Sequence, residues 1–171
     1  ESSCERLGTN HVEIVFVHDI GDYTHGVAGA AHLDDLLGSG MGALRDLKQV
    51  GRIGAIGLGV NESQVCIDVM QHETLDTILL AGRLTLLDRE AEAGLLDLCA
   101  SQGTSLVLGG IFNSGILATG PKPGALCLLN GSHPKPRNRL VCSGGARRPR
   151  PRRSAAPRAA ALPAVLRGAL R

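Results

Sequence analysis

Aromatic residues are scarce: among 171 residues there is no Trp, one Tyr and two Phe. The five cysteines, Cys4, Cys66, Cys99, Cys127 and Cys142, form no Cys-x-x-Cys pair. No metal-ligand spacing is therefore present, and no metal site is expected. No apolar run is long enough to span a bilayer. Acidic residues are missing from one end altogether. Residues 121–171 carry 12 Lys/Arg and no Asp or Glu, whereas residues 1–120 carry 6 Lys/Arg and 16 Asp/Glu. The net charge of +2 is the sum of −10 and +12 and describes neither part. A boundary near Gly120 follows. The basic end also has no aromatic residue on which a nucleic-acid base could stack.

The acidic part is an alternation of strands and helices. A helix end at Leu7-Gly8 leads into His11-Val12-Glu13-Ile14-Val15-Phe16-Val17-His18-Asp19-Ile20. Ile14 to Val17 read as a strand buried on both faces, as in a parallel sheet. A loop is expected from Gly21 to Ala31, then a helix through Leu33, Leu36, Leu37, Met41, Leu44 and Leu47, weakened by Gly38, Gly40 and Gly42 and ended by Gly51. Arg52–Val60 is a second strand. Asn61 is expected to cap the next helix, with Gln64 completing a capping box and Val65, Cys66, Val69 and Met70 facing the core. Asp76–Leu80 is a third strand. Asp88 is expected to cap a helix carrying Ala91, Leu95, Leu98 and Cys99, and Thr104–Leu108 is a fourth strand before a loop from Gly109 to Gly115.

This pattern makes βαβ units and a parallel sheet. An open doubly wound sheet and part of a (β/α)8 barrel both fit. No G-x-G-x-x-G follows a strand, so the Rossmann fingerprint is missing. A whole barrel takes about 250 residues, so this chain would hold about half. Ligands of parallel α/β folds sit beyond the carboxyl ends of strands. His18 closes the first strand there, as a chemical group or as a plain structural histidine. Cys66 and Cys99 read as small buried hydrophobes, which suits a reducing, cytoplasmic compartment. No signal peptide is visible, but the chain begins at Glu1 rather than Met, so further natural sequence is expected upstream.

Four motifs stand at strand ends in one order. They are Val17-His18-Asp19-Ile20-Gly21 with Tyr23-Thr24-His25-Gly26; Ala55-Ile56-Gly57-Leu58-Gly59-Val60-Asn61-Glu62; Leu79-Leu80-Ala81-Gly82-Arg83 with Thr85-Leu86-Leu87; and Asn113-Ser114-Gly115-Ile116-Leu117-Ala118. Together they resemble the aldo/keto reductase family over residues 1 to about 123. Within it they are most like the sugar branch of D-threo-aldose 1-dehydrogenases (L-fucose dehydrogenases), with pyridoxal dehydrogenases nearby.

The resemblance implies a (β/α)8 barrel, of which this chain would hold about the fourth to seventh strands. It implies NAD or NADP as cofactor and hydride transfer from C1 of an L-fucose-like aldose, giving the lactone. His18 matches the active-site histidine that hydrogen-bonds the substrate oxygen. Asn61 matches the residue holding the nicotinamide carboxamide, its amide offering both a donor and an acceptor; as plain chemistry it is equally an N-cap. Asn113, Ser114 and Gly115 match the loop along the cofactor's pyrophosphate, or form an ordinary turn. Some positions depart from the family: Val60 stands where Ser is common, Ala81 where Gln is, and Leu84 where an aromatic stacks on nicotinamide. The family's catalytic Asp, Tyr and Lys lie upstream of this chain, and Tyr23, which follows His18, cannot be that Tyr. The fragment is therefore expected to be inactive alone. The partner implied is a small-molecule sugar, with no membrane and no nucleic acid.

Residues 124–171 form a separate Arg/Pro/Ala-rich segment, including Arg147-Arg148-Pro149-Arg150-Pro151-Arg152-Arg153. With no acids and few large apolar residues it is expected to lack a packed core, apart from a short helix near Ala155–Leu170. A basic arm for nucleic acid on a non-catalytic truncated barrel, a solvated linker, and a reading-frame shift in a GC-rich gene all produce such composition. The loss of acids where the resemblance ends favours the third.

Overall fold

A computed structural model describes residues 2–120. The boundary at 123 and the segment 124–171 lie outside the described residues. Helix α1, Ser2–Leu7, leads into strand β1, Val12–His18. Strands β2 (Ile53–Val60), β3 (Thr77–Ala81) and β4 (Ser105–Gly109) follow. The sheet order is β1-β2-β3-β4, every neighbour parallel. The expected α/β architecture of four adjacent parallel strands is the one formed.

Alternation along each strand sends side chains to opposite faces. Ile56, Leu58 and Val60 of β2 share one face with Ile78 and Leu80 of β3, and each is at most 4% exposed. Helices α4 (Met41–Gln49), α5 (Ser63–Met70) and α6 (Leu95–Gln102) join that core through Met41, Val65, Cys66, Val69, Met70, Leu95 and Cys99. Burying a side chain such as Leu58 contributes about 1.5–3 kcal/mol. The opposite face carries Ile14, Phe16 and His18 of β1, then Ala55, Gly57 and Gly59 of β2. It is the more open one at its margins, where Ile14 is 44% and Val107 46% exposed. Gly57 lets the strands close beneath Phe16: a Cβ there would lie 2.6 Å from the Thr77 carbonyl oxygen and 2.9 Å from Phe16 Cδ1.

Five local expectations are corrected. Strand β1 is not buried on both faces: Ile14 is exposed and Val15, Phe16 and Val17 are half-buried, because β1 stands at the edge of the sheet. The stretch Gly21 to Ala31 is helical rather than a loop, with α2 (Asp22–His25), a 3-10 turn (Gly26–Ala28) and α3 (Gly29–Asp35). The first turn of α2 is held from afar, because Tyr23 N–H donates to Glu62 Oε1 at 2.9 Å. The Gly-rich stretch inside the following helix becomes a π-helical turn, Leu36–Gly40. Asn61 is not a helix cap: α5 starts at Ser63 without a side-chain cap, and Ser63 N–H reaches Glu90 Oε1 at 3.4 Å instead. Asp88 caps no helix: it accepts from Glu90 N–H at 3.0 Å two residues on, the 3-10 turn Glu90–Glu92 has no side-chain cap, and α6 begins only at Leu95.

Candidate active site

The carboxyl ends of the four strands lie along one edge. His18 ends β1 and pairs in register with Gly59 of β2, and a Cβ on Gly59 would lie 3.3 Å from His18 Cδ2. Asn61 follows two residues later, on the same alternation as Gly59. The ladder runs one step beyond His18, since Asp19 N–H donates to the Gly59 carbonyl at 3.0 Å. There the chain turns sharply: Asp19 has a φ of +46°, unusual for a residue with a Cβ. Two contacts hold the turn. His25 Nε2 donates to the Asp19 carbonyl at 2.6 Å, and Asp19 Oδ2 lies 3.1 Å from His18 Nδ1. The imidazole of His18 is otherwise open, 72% exposed.

Behind this edge lies a charged brace. Arg83, just after β3, donates from Nε to the Asn61 main-chain carbonyl at 2.6 Å. Its Nη1 lies 3.3 Å from Asp88 Oδ2 and 3.5 Å from Glu90 Oε2. Glu62 sits among acids: burial first, then Asp22 and Asp19, push its carboxyl above the usual range, against the pull of Tyr23 N–H and Arg83. Asn61 Oδ1 is buried and accepts no hydrogen bond. A buried acceptor without a donor is expensive; Ser63 Oγ, two residues on, and Gln102 Oε1 on α6 are in the same state.

The loop after β4 holds Asn113 and Ser114 at φ of +46° and +58°, followed by Gly115 at +95°. Asn113 is 4% exposed, and its Oδ1 is another buried acceptor without a partner. The N–H groups of Asn113 and Gly115 donate within the loop, to Gly110 and Phe112 carbonyls at 3.0 Å each. Between this loop and the one after β3 is a cleft of about 580 Å³, lined chiefly by Leu84, Leu86, Ile111, Phe112 and Leu117, with Arg89 and Glu92 paired at its rim.

The structure thus brings His18 and Asn61 together on adjacent strand ends. It places Asn113, Ser114 and Gly115 on a loop two strands away from Asn61, at the same edge. Sequence reasoning missed Arg83, Glu62 and Glu90 as parts of the brace. Their hydrogen bonds to Tyr23, Ser63 and Asn61 span 22 to 39 residues; the only signal was charge placed after a strand, as at Glu62 and Arg83. Among the described residues no group of His, Cys, Asp and Glu could hold a metal ion, and no helix is long and apolar enough to cross a membrane.

Comparison with known proteins adds a family. Residues 1–126 match the model of the aldo/keto reductase family. Pyridoxal 4-dehydrogenase of Microbacterium luteolum is 44% identical over 119 residues, covering 69% of this chain and 35% of that protein. D-threo-aldose 1-dehydrogenase of a Pseudomonas species is 34% identical over 116 residues, covering 68% and 33%. The chain spans about a third of the length of these relatives. Among solved structures, an aldo-keto reductase from Pseudomonas aeruginosa aligns with 63% of this chain and 38% of its own at 22% identity, with a TM-score of 0.42.

Proposed function

The chain belongs to the aldo/keto reductase family, and from that premise we propose that it carries part of an NAD(P)-dependent dehydrogenase site oxidising C1 of a cyclic aldose to the lactone. Of the two relatives, the more similar, at 44% identity, is named for pyridoxal and not for the sugar branch, and the other, at 34%, is named for an aldose. Both molecules set an aldehyde beside a hydroxyl able to close on it as a cyclic hemiacetal, so one chemistry serves both names. In this reading residues 1–123 belong to a (β/α)8 barrel, the exposed Ile14 and Val107 lie on its inner face, and the free thiols of Cys66 and Cys99 suit a cytoplasmic setting.

The observation that carries the reading is the buried, unpartnered Oδ1 of Asn61 beside the strand end of His18. A carboxamide offers the N–H donor that such an acceptor lacks. Asn113 Oδ1 also needs a donor, which suits a ribose hydroxyl better than a phosphate oxygen, itself an acceptor. Ser114 and Gly115 are the small residues that let the backbone pass close to the cofactor. Bound there, NAD or NADP supplies the hydride acceptor. His18 meets the substrate oxygen. With Nδ1 beside Asp19, its Nε2 is the nitrogen turned to the C1 hydroxyl, where it orients the oxygen and helps the proton leave. The rival basic arm for nucleic acid falls on residues outside the description.

The test is a chimera in which residues 2–120 replace the matching segment of the Microbacterium luteolum relative. It is assayed for reduced cofactor with L-fucose, other aldoses and pyridoxal, against NAD and NADP. Turnover of an aldose, with the lactone recovered as product and no turnover by the 171-residue chain alone, is expected. A folded chimera that turns over no cyclic hemiacetal overturns the proposal.

A further inference from the structure

Arg83 stands where three segments meet, its side chain only 12% exposed. Nε holds the Asn61 carbonyl at 2.6 Å, and Nη1 lies between the carboxylates of Asp88 and Glu90. Glu90 accepts from Ser63 N–H, so the brace returns to the chain two residues past Asn61. The backbone on either side of Asn61 is therefore fixed, while its side-chain oxygen is left buried without a donor. A simple tether between loops needs charge alone, which Lys would supply. This arrangement uses the fork of a guanidinium: one edge engages the main chain while another faces two carboxylates, a division an ammonium cannot reproduce.

We propose that Arg83 is a positioning residue for ligand recognition. It holds the Asn61 main chain so that the side-chain amide presents its oxygen to a nicotinamide carboxamide rather than turning to a main-chain partner or to water. The inference rests on the reading of Asn61 given above. It makes the brace of Arg83, Asp88 and Glu90 part of the affinity for the nicotinamide end of the cofactor, with no contact of its own to the ligand.

The test is NMR on the full 171-residue chain with labelled Asn and Arg residues. In the wild type, coupling across the hydrogen bond from Arg83 Nε–H to the Asn61 carbonyl is expected, and its absence overturns the inference without any variant. Arg83→Lys keeps a positive charge beside Asp88 and Glu90 but loses the Nε donor. The Asn61 backbone order parameter is expected to fall from about 0.85 to below about 0.6 in this variant, and that of its side chain to fall with it, with Asn113 unchanged as the internal control. Nicotinamide mononucleotide is then titrated in, and its midpoint on the Asn61 signals is expected to rise about tenfold in Arg83→Lys, one lost charge-assisted interaction. Unchanged Asn61 order, or equal midpoints despite altered order, overturns the role of Arg83 alone. Asn61 signals that the mononucleotide leaves unmoved in the wild type overturn the carboxamide reading, and the inference with it.

Discussion

Replacing Gly57 by Ala tests the packing of β2 against its neighbours. The added Cβ would lie 2.6 Å from the Thr77 carbonyl oxygen, 2.9 Å from Thr77 Cγ2 and 2.9 Å from Phe16 Cδ1. The ring can rotate away, but the carbonyl belongs to the β3 backbone. Gly57 and Thr77 are the first of the parallel pairs joining β2 to β3, ahead of Leu58–Ile78. Relieving the clash therefore means parting the strands where their ladder begins. Overpacking of this kind costs about 1–3 kcal/mol, and weakening one ladder hydrogen bond adds about 0.5–1.5 kcal/mol. The lower entropy of the unfolded Ala chain returns about 0.4–1 kcal/mol. The net expectation is a loss of about 2–3 kcal/mol, a large share of the stability of an ordinary domain. Gly38→Ala is the matched control, because no atom lies within 4 Å of its added Cβ; that variant should be as stable as the wild type or slightly more so. Urea unfolding followed by circular dichroism compares the midpoints at constant slope. A Gly57→Ala midpoint equal to the wild type would refute the close-approach argument.

Two further outcomes concern titrating groups away from the candidate site. Although burial pulls the Asp76 carboxyl upward, hydrogen bonds from Lys48 and from Ile56 N–H outweigh it and hold the group below its ordinary value of 3.8. A depressed acid adds stability above its ordinary value and loses it as pH falls through the folded one. Stability should therefore drop on acidification below about pH 4, and Asp76→Asn should shrink that drop; an identical acid profile in the variant would dismiss the contribution. Burial above all, with smaller effects from Cys99, Glu62 and Asp68, pushes the Cys66 thiol up to about 12. Near pH 8 it is thiolate in only about one molecule in ten thousand. Alkylation of the folded chain should thus label the half-exposed Cys4 at least ~100-fold faster than Cys66, and equal rates by peptide mapping would contradict the burial.

The strands were legible because each is an apolar run fixed by its own residues. Ile14 to Val17, and the alternation of Ile56, Leu58 and Val60 with glycines, need no distant information to read as parallel strands. Burial on both faces does not hold for β1, which stands at the edge of the sheet. The helix starts were not legible wherever the cap is tertiary. Glu62 holds the first turn of α2 from 39 residues away, and Glu90 takes over the Ser63 N–H that Asn61 was expected to precede as cap. The corrected start of α5 leaves the side chain of Asn61 uncommitted to a helix, which strengthens its claim as a ligand group. His18 stands out as a candidate because a polar residue closing an apolar strand falls at the carboxyl edge of a parallel sheet, and the structure places it there. Arg83 does not stand out, since its purpose appears only when Asn61, Asp88 and Glu90 surround it.

The central claim is that His18 acts on the substrate oxygen at this edge. Its most direct test is the single-turnover rate of cofactor reduction in the chimera, with His18 against His18→Ala and with C1-protiated against C1-deuterated aldose. The account predicts a fall on the order of 100-fold or more, with the isotope effect retained or enlarged because hydride transfer itself has slowed. An unchanged single-turnover rate would remove His18 from the chemistry.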